Sequence, residues 1–189
     1  MGKWTASFFA SALSPKTLKP LAGAHEINLR LAAEIITGEP EREFFKSDAV
    51  DRGKELEDEA FRFLNFSHGY EFEKSGFIDS EKGYGCSVDG INHEGKMTLE
   101  LKCLRNFEHV KCLAEGVMPK KFLMQTQGHL LVTGYETSIF CAYHPTMPSL
   151  VVAAGRNGEV LEKLGVQLVK NVAEVNRMVE RVREVMDAV

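Results

Sequence analysis

The four cysteines of this chain, Cys86, Cys103, Cys112 and Cys141, include no CxxC pair. That excludes a zinc knuckle and a dense disulfide framework, and leaves them as reduced core residues. Long apolar runs are missing too: residues 5–13 and 150–154 are the longest, far short of the roughly 20 residues of a bilayer-crossing helix. The opening Met1-Gly2-Lys3-Trp4-Thr5 carries no extended apolar core of the signal-peptide kind, so no membrane partner and a cytoplasmic location are expected. Positive charge is not in excess. Against 23 Lys and Arg stand 27 Asp and Glu, a net charge of -4 at pH 7. Such a chain does not coat a polyanion by bulk charge, so any nucleic-acid contact must be local, held in a cleft and helped by bound metal. Internal repeats and low-complexity linkers are absent as well.

What is present is ordinary globular material: 189 residues, 44% hydrophobic and 26% charged, enough for one core and a single domain over residues 1–189. After the apolar segment 5–13, Ser14-Pro15 reads as the cap and first position of a short helix. Ile27, Leu31, Ala32 and Ile35 recur at helical spacing over residues 24–37, and Gly38 and Pro40 close the run. A second helix is predicted over 47–66, with Ala49, Gly53, Leu56, Ala60, Phe63 and Leu64 inward and Gly69 after its end. Short apolar or alternating runs at 71–78, 84–91 and 97–103 read as strands. A helix over 120–132 and strands at 138–143 and 150–154 follow. The last segment carries Leu168, Val172, Val175, Val179, Val182, Met186 and Val189 at alternating spacings of four and three, the seam of a long helix. Its partner is the body of the same chain or a helix of another subunit.

The stretch with chemistry in it is Ser87-Val88-Asp89 followed, after ten residues, by Glu100-Leu101-Lys102. If strands 84–91 and 97–103 form a hairpin joined through residues 90–96, Asp89 and Glu100 converge on one edge. Glu100 and Lys102 then share a face while Leu101 points into the core. Two carboxylates and a main-chain carbonyl are hard oxygen ligands suited to Mg²⁺ or Mn²⁺. The ion activates water, and Lys102 holds that water in line; a role as base would require a pKa depressed by burial. Upstream, Glu57 lies beside the buried stripe of its helix and reaches toward the strand edge, whereas Glu55 and Glu59 read as solvated. Downstream, Gln125 and His129 are four apart and share a helix face, and Gln127 points elsewhere. His68, His93, His109 and Cys103 belong to no nucleophile motif and are expected to be non-catalytic.

Taken in order, Thr5-Ala6-Ser7, Leu31-Ala32-Ala33-Glu34 through Thr37-Gly38, Gly53-Lys54 with Glu57, Cys86-Ser87-Val88-Asp89-Gly90, Leu99 to Cys103, and Gln125 with Gln127 resemble the phage lambda exonuclease family. This is the YqaJ-like viral recombinase and alkaline exonuclease branch of the PD-(D/E)XK nuclease superfamily. The resemblance spans nearly the whole chain. It implies an α/β fold: a restriction-endonuclease-like core with a central mixed sheet of about five strands, flanking helices and a long C-terminal helix. It implies Glu57, Asp89, Glu100 and the Leu101 carbonyl as ligands of Mg²⁺, with Mn²⁺ able to substitute. Lys102, Glu100, Asp89 and Gln125 are then catalytic, with Gln125 near the reacting phosphate and Ser7 and Ser87 on the terminal phosphate. The implied activity is stepwise, processive 5′ to 3′ hydrolysis at double-stranded DNA ends, producing single strands for phage-type recombination. A homotrimeric ring and a single-strand annealing protein are the implied partners.

Two positions depart from the family pattern. Val88 stands where the family has proline, and the family's arginine for the 5′-phosphate, placed ahead of Thr-Ala-Ser, has no counterpart here; Lys3, Lys16 or Lys19 is expected to take its place. Lys16, Lys19 and residues 105–111 are candidates to line a ring's channel. Two other readings stand beside the exonuclease: a structure-specific endonuclease of the same superfamily, and a catalytically silent DNA-binding module. The intact set Glu57, Asp89, Glu100 and Lys102 argues against the second.

Overall fold

The computed structural model describes the backbone of residues 2–40 and 48–188, and the side chains of residues 2–40 and 56–188. Among these residues the strands divide between two sheets. The first has β1 (Trp4–Thr5) parallel to β3 (Tyr84–Ser87), with β2 (Phe77–Asp79) antiparallel on the other side of β3. The second runs β4 (Gly90–Asn92), β5 (Met97–Cys103), β6 (Thr137–Tyr143) and β7 (Leu150–Gly155); β5 and β6 are parallel and the outer pairs antiparallel. The fold is of the mixed α/β class the sequence indicates, with its strands shared between a three-stranded and a four-stranded sheet.

The division corrects the hairpin expected from residues 84–91 and 97–103. That first strand breaks at Val88-Asp89, and the chain passes from one sheet to the other there. Val88 is buried, so the joint is anchored by an apolar side chain. The following Gly90 lies so close to its neighbours that a Cβ would meet Phe61 at 2.9 Å and Phe72 at 3.1 Å. The hairpin proper is shorter than expected: Asn92 pairs with Met97, and the Asn92 Oδ1 accepts the Gly95 amide at 2.6 Å to close the turn.

The helices are α1 (Phe9–Ala12), α2 (Gly23–Thr37), α3 (Asp48–His68), α4 (Asn106–Glu115), α5 (Leu123–Thr133) and α6 (Gly158–Asp187). Ser47, the expected start of α3, lies outside the described residues, as do the side chains of Ala49, Lys54 and Glu55 and the surroundings of Gly53. No helix forms at Ser14-Pro15. Leu13 bridges Pro20 instead, and the Ser14 hydroxyl accepts the Lys16 and Thr17 amides, each at 3.3 Å, in the intervening turn. Helix α4 was not expected; its apolar residues do not fall on one face, with Cys112 buried while Phe107 and Val110 remain exposed.

One core joins α1, α2 and α6 around Trp4, Phe9, Leu31, Leu164 and Leu168. Each fully buried leucine there contributes about 1.5–3 kcal/mol. The seam of α6 is buried against the body as far as Val179, while Val182 and Met186 are exposed and Val189 lies outside the described residues. A second cluster packs Ala60 and Leu64 of α3 on Leu99, Leu101, Ile139, Cys141 and Tyr143, which is one face of β5 and β6. The opposite face, with Phe140 and Ala142, packs on Phe122. No described helix is long and apolar enough to cross a membrane.

Candidate metal-hydrolytic site

Strand alternation sends Leu99 and Leu101 toward α3, so Thr98, Glu100 and Lys102 face the other way, toward Phe122 and α5. Glu100 is 1% exposed, so its carboxylate lies inside the protein and not at the surface. Its Oε1 is ion-paired with the Lys102 ammonium, whose side chain is 28% exposed. The Lys102 Nζ also stands 5.5 Å from the centre of the Phe122 ring. On the far side of the carboxylate, the Nε2 of His129 lies 3.4 Å from Glu100 Oε2. Among the described residues neither Glu100 oxygen has a well-formed hydrogen bond.

Asp89 sits where β4 has not yet begun to cover β5. Its amide donates to the Leu99 carbonyl at 3.0 Å, and its Oδ2 accepts the Leu101 amide at 2.5 Å. Within a strand, the N–H and C=O of one residue project to the same side. The Leu101 carbonyl therefore leaves β5 on the edge where the Asp89 carboxylate lies. Glu57, on α3 and partly exposed, approaches from the face opposite Glu100 and pairs loosely with Lys74, Nζ to Oε1 3.7 Å. Asp89, Glu100 and Lys102 all feel its charge.

These neighbours set the ionisation of the site. Burial, with repulsion from Asp89 and Glu57, pushes the Glu100 carboxyl up to about 8 against the pull of Lys102. Asp89 is likewise raised, by burial first, although the Leu101 amide and Lys102 oppose it. Burial alone would pull Lys102 down, but Glu100, Asp89 and Glu57 outweigh it and raise the ammonium above its ordinary value. Lys102 is thus a fixed cation and not a poised base. Burial and Lys102 hold His129 neutral, down to about 3.

Acids whose charge is so poorly compensated fit a hard divalent cation, as do the two Glu100 oxygens left without good hydrogen bonds. Among the described residues no three His, Cys, Asp or Glu side chains already enclose such an ion, and the expected ligand set includes the main-chain Leu101 oxygen.

The remaining expected residues are distributed around this edge. Gln125 is half-buried on the same α5 face as His129. Ser7 and Ser87 are both exposed, each two residues beyond the parallel register Thr5 with Gly85. Ser7 accepts or donates a hydrogen bond with Thr5 at 2.8 Å. The first turn reaches α5 because Gly128 has no side chain: a Cβ there would meet the Phe9 ring at 2.3 Å. Gln127 is structural, its Nε2 donating to the Gly155 carbonyl at 2.8 Å and its Oε1 accepting the Asn157 amide at 2.9 Å. Lys3 is paired with Asp79, whereas Lys16 and Lys19 are exposed. Glu59 is exposed, as expected, but accepts the Tyr143 hydroxyl at 2.6 Å.

The histidines set aside on sequence grounds have packing or hydrogen-bonding partners. His93 meets the Tyr135 hydroxyl at 2.6 Å, His109 donates through Nε2 to the Pro148 carbonyl at 2.9 Å, and His68 rests against Phe63 and Tyr70. All four cysteines are free; burial holds Cys86 and Cys141 at about 12 and Cys103 at about 11, far from thiolate reactivity. What sequence reasoning missed is the contact of His129 with Glu100, although it placed His129 on the Gln125 face. The spacing of His129 from Gln125 was the available signal.

Among solved structures, the fold matches LHK-Exo in complex with dAMP with a TM-score of 0.87 and 23% identity, covering 100% of this chain and 95% of that one. It matches an alkaline exonuclease (LHK-Exo) from Laribacter hongkongensis with a TM-score of 0.88 and 22% identity, over 99% and 94% of the two chains. A phage related exonuclease from Haemophilus somnus 129PT gives 0.71 and 14%, over 95% and 96%. At such identities the likeness establishes the fold. No curated protein matches the chain. The family model described as the YqaJ-like viral recombinase domain matches residues 1–136, nearly three quarters of the sequence and every acid of the site, and the chain belongs to that family.

Proposed function

We propose that the chain is a Mg²⁺-dependent exodeoxyribonuclease that hydrolyses phosphodiester bonds at double-stranded DNA ends, 5′ to 3′ and processively, leaving single strands for recombination. The observation that carries this reading is the single edge of β5 that gathers the Glu100–Lys102 pair, the Asp89 carboxylate and the Leu101 carbonyl. Family membership and the likeness to solved exonucleases support it.

A bound divalent ion supplies Lewis-acid charge that acidifies water and offsets negative charge developing on phosphate. Glu57, Asp89, Glu100 and the Leu101 carbonyl would hold it; Mn²⁺ would substitute. Lys102 is ion-paired with Glu100, and its ammonium carries N–H groups to orient the attacking water and a phosphate oxygen. Gln125 donates its amide to the same phosphate. Ser7 and Ser87 receive the terminal phosphate, with Lys16 or Lys19 supplying positive charge beside it. A homotrimeric ring keeps the enzyme on its strand, and a single-strand annealing protein takes over the product in the cytoplasm of a bacterial host.

The test is incubation of purified protein with end-labelled linear duplex in Mg²⁺, Mn²⁺ or chelator. Mononucleotide release with either metal, none with chelator, and an untouched covalently closed circle are expected. Nicking or linearisation of the circle would make the protein an endonuclease.

A further inference from the structure

The metal-ligand reading leaves Glu100 with a neighbour that it does not use. His129 lies on α5, is fully buried, and brings Nε2 to 3.4 Å from Glu100 Oε2, on the side of the carboxylate away from the Lys102 pair at Oε1. A polar ring at that depth is costly unless it finds a partner; Glu100 is the acid paired with it, Lys102 is a cation acting on it, and neither ring nitrogen makes a well-formed hydrogen bond among the described residues. The arrangement matches the way ligating carboxylates are themselves held by hydrogen bonds from behind, which fixes their orientation toward an ion.

We propose that His129 is a positioning residue for Glu100: its Nε2–H holds Oε2 from within the core, so that Oε1 is turned to the Lys102 and Asp89 side where the ion binds. The inference rests on the metal-ligand reading of Glu100. His129 touches neither phosphate nor metal, and Gln125, four residues earlier on the same face, is left free to meet the substrate. The rigid partner explains why a buried carboxylate can be presented with one rotamer to an ion that tolerates little geometric error.

The test uses the full chain without DNA, measuring Mn²⁺ affinity by calorimetry and metal-free thermal stability in parallel. A glutamine places its amide nitrogen at nearly the reach of the imidazole Nε2, whereas leucine fills the volume without a donor and asparagine falls short. His129→Leu and His129→Asn are expected to bind Mn²⁺ at least ~10-fold more weakly, the scale found when the partner of a metal ligand is removed, and His129→Gln within about threefold of wild type. Equal affinities in all four proteins, or a glutamine variant as weak as the leucine variant, would overturn the proposal. Should the leucine variant not fold, the glutamine and asparagine pair decides by the same criterion. Failure of the wild-type chain itself to bind Mn²⁺ would instead sink the metal site, and this inference with it.

Discussion

The Asp89 carboxylate accepts the amide of Leu101 at 2.5 Å, so an acid twelve residues earlier in the chain takes the place of a neighbouring strand at that point of β5. One side chain thereby does two things: it completes the main-chain hydrogen bonding at the edge and carries charge to it. The two roles separate by substitution. Asp89→Asn keeps an acceptor for Leu101 and should fold with near wild-type stability, yet bind Mg²⁺ more than ~10-fold more weakly, since affinity for a hard cation follows the charge of its ligands. Asp89→Ala loses both and should also be destabilised by roughly 1–3 kcal/mol, the cost of an orphaned buried amide. Denaturant melts and metal calorimetry on the two variants make the comparison; equal stability would remove the strand-edge role.

Lys102→Met keeps the side chain's bulk against Phe122 but takes away the charged donor beside Glu100. Cleavage of linear duplex should fall by about 10²–10³-fold or more, the scale for losing one preorganised donor. Glu100→Gln should abolish turnover as well, while leaving the metal-free fold intact because burial already disfavours the carboxylate. Near wild-type turnover in either variant would displace the site from β5.

The same burial makes a pH signature. In the unfolded chain Glu100 loses its proton near the ordinary 4.5, while the folded protein keeps it up to about 8, so this group lowers stability as pH rises through that interval. His129 acts oppositely: the unfolded ring takes a proton below 6.5 and the folded one only near 3, so stability falls as pH drops below 6.5. Between 4.5 and 6.5 the two offset each other; from 6.5 to 8 Glu100 acts without that opposition. Metal-free Tm should therefore decline across pH 6.5 to 8, and Mg²⁺ or Glu100→Gln should flatten the decline. A metal-free Tm that is level or rising over that range would contradict the burial argument.

His109 is fully buried, donates to the Pro148 carbonyl and lies tilted against the His144 ring, while His93 is an exposed partner of Tyr135. The double variant His93→Ala, His109→Ala should melt earlier, by a few kcal/mol for the emptied buried site, yet retain its cleavage rate at temperatures where it is folded. Loss of activity in the folded variant would call for a different mechanism.

How far the sequence was legible follows the range of the interactions involved. Helix α2 and the seam of α6 could be read because their apolar spacing is local and periodic. Glu100 and Lys102 could be placed on one face because alternation along a strand is local too. The break at Val88-Asp89 was not readable, since the strand-like run from Tyr84 to Ile91 gives no sign that Asp89 will bond to Leu101 rather than to a strand partner. Nor was the burial of Glu100, which depends on α5 arriving over β5 with Phe122 and His129. Helix α4 escaped because its exposed Phe107 and Val110 blur its pattern.

Assembly gives the last prediction. A chain of net charge -4 that slid along DNA as an open monomer would be poorly retained at physiological salt, where affinity depends on neutralised phosphates. A ring retains its substrate by topology instead, and gathers cations from several subunits into one channel while acidic surface faces outward. Lys16 and Lys19 are exposed on the turn after α1, which suits such a lining. Residues 105–111 suit it less evenly: Arg105 is paired with Glu108 at 3.4 Å, and Lys111 sits 3.7 Å from Glu115 but remains well exposed. Light scattering should therefore give a particle about three times the 21.1 kDa chain, the count taken from the family resemblance, with digestion of a long duplex continuing in the presence of a competitor trap. Lys16→Glu with Lys19→Glu should shorten each digestion run and steepen its salt sensitivity without altering metal affinity. A monomer by scattering that still degraded thousands of nucleotides per encounter would refute retention by a ring and leave the β5 site standing.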